Sequence, residues 1–284
     1  MKKILLPTDF SDNAWNAICY TLEFFKNELC TFYFLHTYTP AFYRVDYMFG
    51  GPAYSGLPDK MIDISLSGLE KVVEKAKNNY PNPKHDYKKL SSFNILSDEI
   101  NEVTEREGID MIVMGTQGAT GAKEIFLGTN TVFVMRKAKV PVLAIPENFK
   151  YKGINKVLFP SDYWSFYKRR ELHPIVEIVT AHNATLTVLH IEEEFGITED
   201  QEKNKEFINE CFEGINCEFK DVRDQLMPGA VHDYIDKEAC DMVVMMNRKL
   251  SFLERLLFKQ NVDIIGFHIK VPFLVLRDTS KKYS

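Results

Sequence analysis

KILLPTDF (residues 3–10) and KVLFPSDY (156–163) are one octapeptide in two spellings, and that pairing decides the fold. Lys3 falls on Lys156, Pro7 on Pro160, Thr8 on Ser161 and Asp9 on Asp162. Working outward, TFYFLH (31–36) falls on TLTVLH (185–190), DMIVM (110–114) on DMVVM (241–245), and VPVLAIPE (140–147) on VPFLVLRD (271–278). Four blocks recur in the same order. A period of roughly 130 to 150 residues is too long for a solenoid unit and has the size of one domain, so the chain reads as a duplicated domain. The expected domains are 1–148 and 153–279, divided in the polar segment ENFKYKG (147–153).

Within each half, apolar runs short enough for strands alternate with stretches of helical period. That alternation marks a parallel α/β sheet covered on both faces. Strands are expected near 3–7, 30–37, 87–93, 110–115 and 140–146, and again near 155–160, 185–191, 217–222, 241–246 and 271–276. The helix over SDNAWNAICYTLEFFKN (11–27) offers Ser11 and Asp12 as caps and repeats Ala14, Ala17, Ile18, Leu22 and Phe25 on one face. SDEINEVTEREG (97–108) predicts a helix that starts at Ser97 and closes on Gly108. Pro174 lies within the first helix of the second half and should kink or delay it. The first half is longer after its second strand, through YTPAFYRVDYMFGGPAYSGLP (38–58).

Composition narrows the function classes. With 45% hydrophobic and 26% charged residues and no long unbroken apolar run, no membrane span is expected. The opening MKKILLPTDFSD is too short in apolar residues for a signal peptide, and a cytoplasmic location follows as the expectation. The five cysteines are scattered and lack a CxxC pair, which argues against disulfide frameworks and zinc ribbons. A net charge of −5 gives no general reason to expect nucleic acid.

The run MGTQGATGAKEIFLGTN (114–130) carries the chemistry. In an open parallel sheet, ligands bind beyond the carboxyl ends of the strands. Asp9 follows the first strand there, and the glycine loop follows the fourth. Glycines let successive backbone N–H groups close on an anion, and Thr129 stands where a helix begins. A phosphate chain fits such a place. The loop is not a Walker loop, since no Gly-Lys-Ser/Thr follows, nor a dinucleotide fingerprint, which would follow the first strand.

The opening ILLPTDFS, the LH closing the second strand, the spacing Gly115-x2-Gly118-x9-Gly128-Thr129 and the closing VPVLAIPE together resemble a universal stress protein domain, present twice. The resemblance implies two tandem open five-stranded sheets of order 3-2-1-4-5, like the adenine nucleotide alpha hydrolases, and a regulatory, stress-response role. The glycine spacing is that of the ATP-binding branch, so ATP, with or without Mg²⁺, is the implied cofactor. Residue by residue, Pro7, Thr8 and Asp9 become contacts to the nucleoside, and Thr37 the backbone contact to adenine. Gly115, Gly118, Gly128, Thr129 and Asn130 become the cradle of ribose and phosphates.

In the second half Gly115 falls on Met246, Gly118 on Lys249, Gly128 on Lys259 and Thr129 on Gln260, so this half reads as a structural partner. His36 and His190 read as packed strand-end residues. No catalytic constellation or metal cluster is evident, and slow ATP hydrolysis is left open. The alternative is an enzyme of the same fold class, a slow ATPase or an ATP pyrophosphatase, although PTDFSDN (7–13) lacks the glycines of the latter's loop. The fifth strands, 142–146 and 273–277, are expected to pair as an internal dimer, with a further homodimer left open.

Overall fold

The computed structural model describes residues 1–38, 57–116, 128–164, 166–192, 196–223, 227–247 and 270–279. The chain divides into two compact units, the change falling between Tyr151 and Lys152. Unit 1 runs β1 (Lys2–Pro7), α1 (Asp12–Phe24), β2 (Cys30–Thr37), α2 (Leu57–Asn79), β3 (His85–Ser92), α3 (Leu96–Glu107), β4 (Met111–Gly115), α4 (Thr129–Lys137) and β5 (Val142–Ile145). Unit 2 runs β6 (Lys156–Ser161), α5 (Arg169–His182), β7 (Thr185–Glu192), α6 (Glu199–Cys211), β8 (Cys217–Arg223), α7 (Met227–Glu238), β9 (Met242–Asn247) and β10 (Phe273–Arg277).

Every strand pairing within unit 1 is parallel, in the order β3-β2-β1-β4-β5. Unit 2 repeats the plan as β8-β7-β6-β9-β10, also parallel throughout. Both are the expected order 3-2-1-4-5. The inner strands are apolar on both faces because helices cover both: Ile4, Leu5, Leu6, Ile112 and Val113 in unit 1, and Val157, Leu158, Phe159 and Val243 in unit 2, are buried.

The recurrence of Lys3 and Lys156 has a structural reason. Lys3 Nζ donates to the carbonyl of Glu107 at the end of α3 (2.6 Å), and Lys156 Nζ to that of Glu238 at the end of α7 (2.8 Å). Each ammonium satisfies an orphan carbonyl at the negative end of a helix. Beside each lysine, an aspartate carboxylate accepts from the lysine's own backbone N–H, Asp110 at 2.8 Å and Asp241 at 3.0 Å.

Ser11 caps α1 as expected, its hydroxyl accepting from Ala14 N–H, and Gly108 closes α3 with φ 67°. The start of α3 needs a correction. The helix begins at Leu96 with Ile95 in the cap position and no side-chain cap, so Ser97 lies inside its first turn. The Ile95 carbonyl already accepts from Asp98 and Glu99 N–H, which carries the helix past the serine. Pro174 is accommodated inside α5, which starts at Arg169 after the connection 162–168, longer than the 8–11 connection that precedes α1. Residues 39–56 of the insertion and the glycine-loop residues 117–127, Gly118 among them, lie outside the described residues.

Candidate functional site

At the carboxyl ends of β1, β2 and β4, unit 1 holds a cavity of about 270 Å³. It is built first from the turn after β1. Thr8 N–H donates to the Leu35 carbonyl (2.8 Å), extending the strand by one residue. The Thr8 hydroxyl then accepts from Phe10 N–H (3.1 Å), and Asp9 Oδ1 accepts from both the N–H (3.1 Å) and the hydroxyl (2.6 Å) of Ser11. These are the side-chain-to-backbone turns that Thr, Asp and Ser favour. They leave Phe10 at φ 66°, a left-handed conformation uncommon for a bulky residue.

What holds Phe10 there is packing. Its ring stacks on His36 with centroids 4.4 Å apart, and it lies so close to α2 that a Cβ on Gly68 would sit 2.5 Å from it. Unit 2 repeats the device. Ser161 accepts from Tyr163 N–H (3.2 Å), Asp162 from Trp164 N–H (3.1 Å), and Tyr163, at φ 57°, stacks on His190 at 4.5 Å.

The far wall comes from β4 and α4. Gly115 ends β4, and its carbonyl accepts from the Thr131 hydroxyl (2.9 Å); Gly128 N–H donates to the Thr116 carbonyl. Two bonds thus tie the helix start to the strand end. Gly128 occupies the N-cap of α4 and offers no side chain to it, so the first-turn N–H groups have neither an intrahelical acceptor nor a side-chain cap. Such a helix end carries partial positive charge and suits an anion.

Eight of the nine residues expected to form the site line this one cavity: Pro7, Thr8 and Asp9 from the β1 end, Thr37 from β2, and Gly115, Gly128, Thr129 and Asn130 from the far wall. The ninth, Gly118, is not among the described residues. Ala14, Leu96 and Met114 add apolar lining, and Thr131 and His36 add polar groups. Sequence reasoning missed these five. Leu96 and Ala14 carry no cue beyond helical period, whereas Thr131 belongs to the run TNT behind Gly128, whose hydroxyls could have been weighed as anchors for the glycine.

Gly115 has a role nearer home than ligand contact. A Cβ there would collide with the Asn13 side chain of α1 and come within 3.1 Å of the Asn13 carbonyl oxygen. The missing side chain is therefore required by helix–strand packing. Met246, its counterpart in unit 2, is buried; Lys249, Lys259 and Gln260 lie outside the described residues. In unit 2 the turn after β6 is held from α6, where Gln201 donates to the Asp162 carbonyl (2.8 Å) and Asn204 to that of Tyr163 (2.7 Å).

His36 Nδ1 is 2.9 Å from the hydroxyl of Ser65, which is 2.7 Å from that of Ser91. Burial lowers the His36 pKa from its ordinary value, with Asp9 opposing the shift. Among the described residues no group of three or more His, Cys, Asp or Glu is placed to hold a metal ion, and no helix is long and apolar enough to cross a membrane. All five cysteines are free thiols.

A crevice across the strand ends of a 3-2-1-4-5 sheet makes unit 1 an open α/β domain of the kind that binds ligands beyond the carboxyl ends of its strands. The model of the Universal stress protein family matches residues 1–146, and the chain belongs to that family. A universal stress protein of Methanocaldococcus jannaschii is 32% identical over 154 residues, 51% of this chain and 94% of its own length. A second from the same organism is 28% identical over 145 residues, 51% of this chain and 81% of that protein. Across both units, the crystal structure of a universal stress protein from Archaeoglobus fulgidus covers 97% of this chain and 96% of its own, at 21% identity and a TM-score of 0.62, a likeness of fold.

Proposed function

We propose that unit 1 binds one adenine nucleotide, ATP, and that the protein acts as a regulatory nucleotide-binding protein of the stress-response type. The observation that carries this reading is the convergence, in one cavity, of the Thr8–Asp9 turn, the Thr37 strand end and the uncapped start of α4 behind Gly128. At about 270 Å³ the cavity lies just below the usual range of small-molecule sites, roughly 300 to 1,000 Å³. Its apolar lining at Ala14, Leu96 and Met114 suits the faces of a base, and the α4 N–H groups suit phosphate oxygens.

In this reading Pro7, Thr8 and Asp9 meet the nucleoside and the Thr37 backbone meets the adenine edge. Gly115, Gly118, Gly128, Thr129 and Asn130 surround ribose and phosphates. Mg²⁺ would arrive with the phosphates, since no described cluster is built to hold it alone. Unit 2 serves as a structural partner, a second domain of the same family whose glycine loop is lost. The sequence repeat favours reading the two units as an internal pseudo-dimer. The free thiols fit a reducing, cytoplasmic location.

Incubating the purified protein with ATP and Mg²⁺, then analysing bound and released nucleotide, tests the proposal. Recovery of ATP in stoichiometric amount is the expected result. Rapid conversion to ADP or AMP points to an enzyme, and the absence of bound nucleotide removes the reading.

A further inference from the structure

The two copies of the strand-end histidine differ in what surrounds them. Both stack on the aromatic residue of the preceding turn, Phe10 for His36 and Tyr163 for His190. His190 is 3% exposed, and its Nδ1 is 3.0 Å from the carboxylate of Asp221. His36 is only part-buried and lines the cavity, and its Nδ1 meets a neutral hydroxyl chain, Ser65 then Ser91. Ser65 itself is fully buried, so the chain anchors the ring through Nδ1, and Nε2 is the ring nitrogen that this anchor does not engage.

We infer that His36 is a ligand-reading residue of unit 1, its Nε2 edge forming a hydrogen bond with the uncharged nucleoside portion of the bound nucleotide and not with its phosphates. The inference rests on the nucleotide reading of the cavity. Position supports the nucleoside assignment. His36 is on β2 and α4 follows β4, with β1 between them, so the two sides of the site are about two strand spacings apart, roughly 10 Å. A nucleoside bridges such a gap with its base or sugar at one end and its phosphates at the other. Charge agrees: burial favours the neutral ring, which suits an uncharged hydrogen-bonding edge. Preorganisation by the Phe10 stack, Ser65 and Ser91 means that little ordering of the ring is needed on binding.

Imidazole ¹⁵N resonances of the full chain, followed during titration with ATP and Mg²⁺, with adenosine and with tripolyphosphate, read the contact directly. ATP and adenosine should move the His36 Nε2 signal, tripolyphosphate should not, and His190 should stay unchanged throughout. His36→Phe keeps a ring for the stack and loses both ring nitrogens, and should weaken ATP binding by about tenfold, the loss expected for one hydrogen bond to the ligand. His190→Phe should leave affinity unchanged. If ATP binds both wild type and His36→Phe equally and the His36 signal does not move, this inference is overturned while the nucleotide reading stands. If tripolyphosphate alone moves the signal, the histidine reads phosphate and the assignment is wrong. If wild type binds no ATP, the nucleotide reading falls and the inference with it.

Discussion

Gly115 and Gly128 look alike in the sequence, and the structure separates them. The first is fixed by the approach of Asn13, the second by its place at the cap of α4. Gly115→Ala should therefore destabilise unit 1 by about 1–3 kcal/mol, the usual cost of forcing a methyl group into a packed interior. Chemical denaturation would measure it, and adding Asn13→Ala should recover part of the loss. A neutral outcome would mean that α1 can shift away. Gly128→Asp is the cleaner probe of ligand contact, since it places bulk and negative charge where phosphate would meet backbone. It should abolish nucleotide binding with the fold retained by circular dichroism, whereas Lys259→Asp in the second half should change binding little. Phe10 shows what no residue-level reading could find: its left-handed φ follows from the Gly68 notch and the His36 ring, partners far apart in the chain.

The elements were largely legible, for identifiable reasons. Inner strands covered on both faces must be apolar throughout, so runs such as ILLP and DMIVM stand out against amphipathic helices. Ser11 and Gly108 mark helix ends by chemistry that acts locally, through a hydroxyl cap and a left-handed glycine. The start of α3 was misplaced because the Ile95 carbonyl, not a side chain, accepts the first N–H groups. The join between β4 and α4 was legible only as a glycine spacing; the Thr131 hydroxyl on the Gly115 carbonyl is a tertiary bond with no local signature. Thr131→Val keeps the shape and removes that bond, leaving a buried carbonyl short of a donor. It should cost unit 1 about 1–3 kcal/mol and weaken nucleotide binding by loosening the helix start, both measurable on the same purified variant.

At the scale of the molecule, duplication explains why the same lysine, Thr/Ser–Asp turn and histidine recur, and divergence explains why only one half keeps the glycines. Unit 1 should be sensitive to acid. Burial lowers the pKa of both His36 and His85 below 6.5, so as pH falls through that value the unfolded chain takes up protons before the folded one does. Their contribution to stability is present above about pH 6.5 and is lost as pH falls toward the folded values. Denaturation of unit 1 should need less urea at pH 5.5 than at pH 7.5, and a midpoint that rises on acidification would contradict the account. Nucleotide should act in the opposite sense: at a hundred times its dissociation constant it adds about 2.7 kcal/mol to the unit that binds it.

The central claim, one nucleotide site in the first unit of a duplicated chain, is tested most directly by isothermal titration calorimetry of the full protein with ATP and Mg²⁺. The account predicts a single class of sites with one ATP per chain, lost in Gly128→Asp and retained in Lys259→Asp. Two equivalent sites per chain, no binding, or a single site abolished by Lys259→Asp would contradict it.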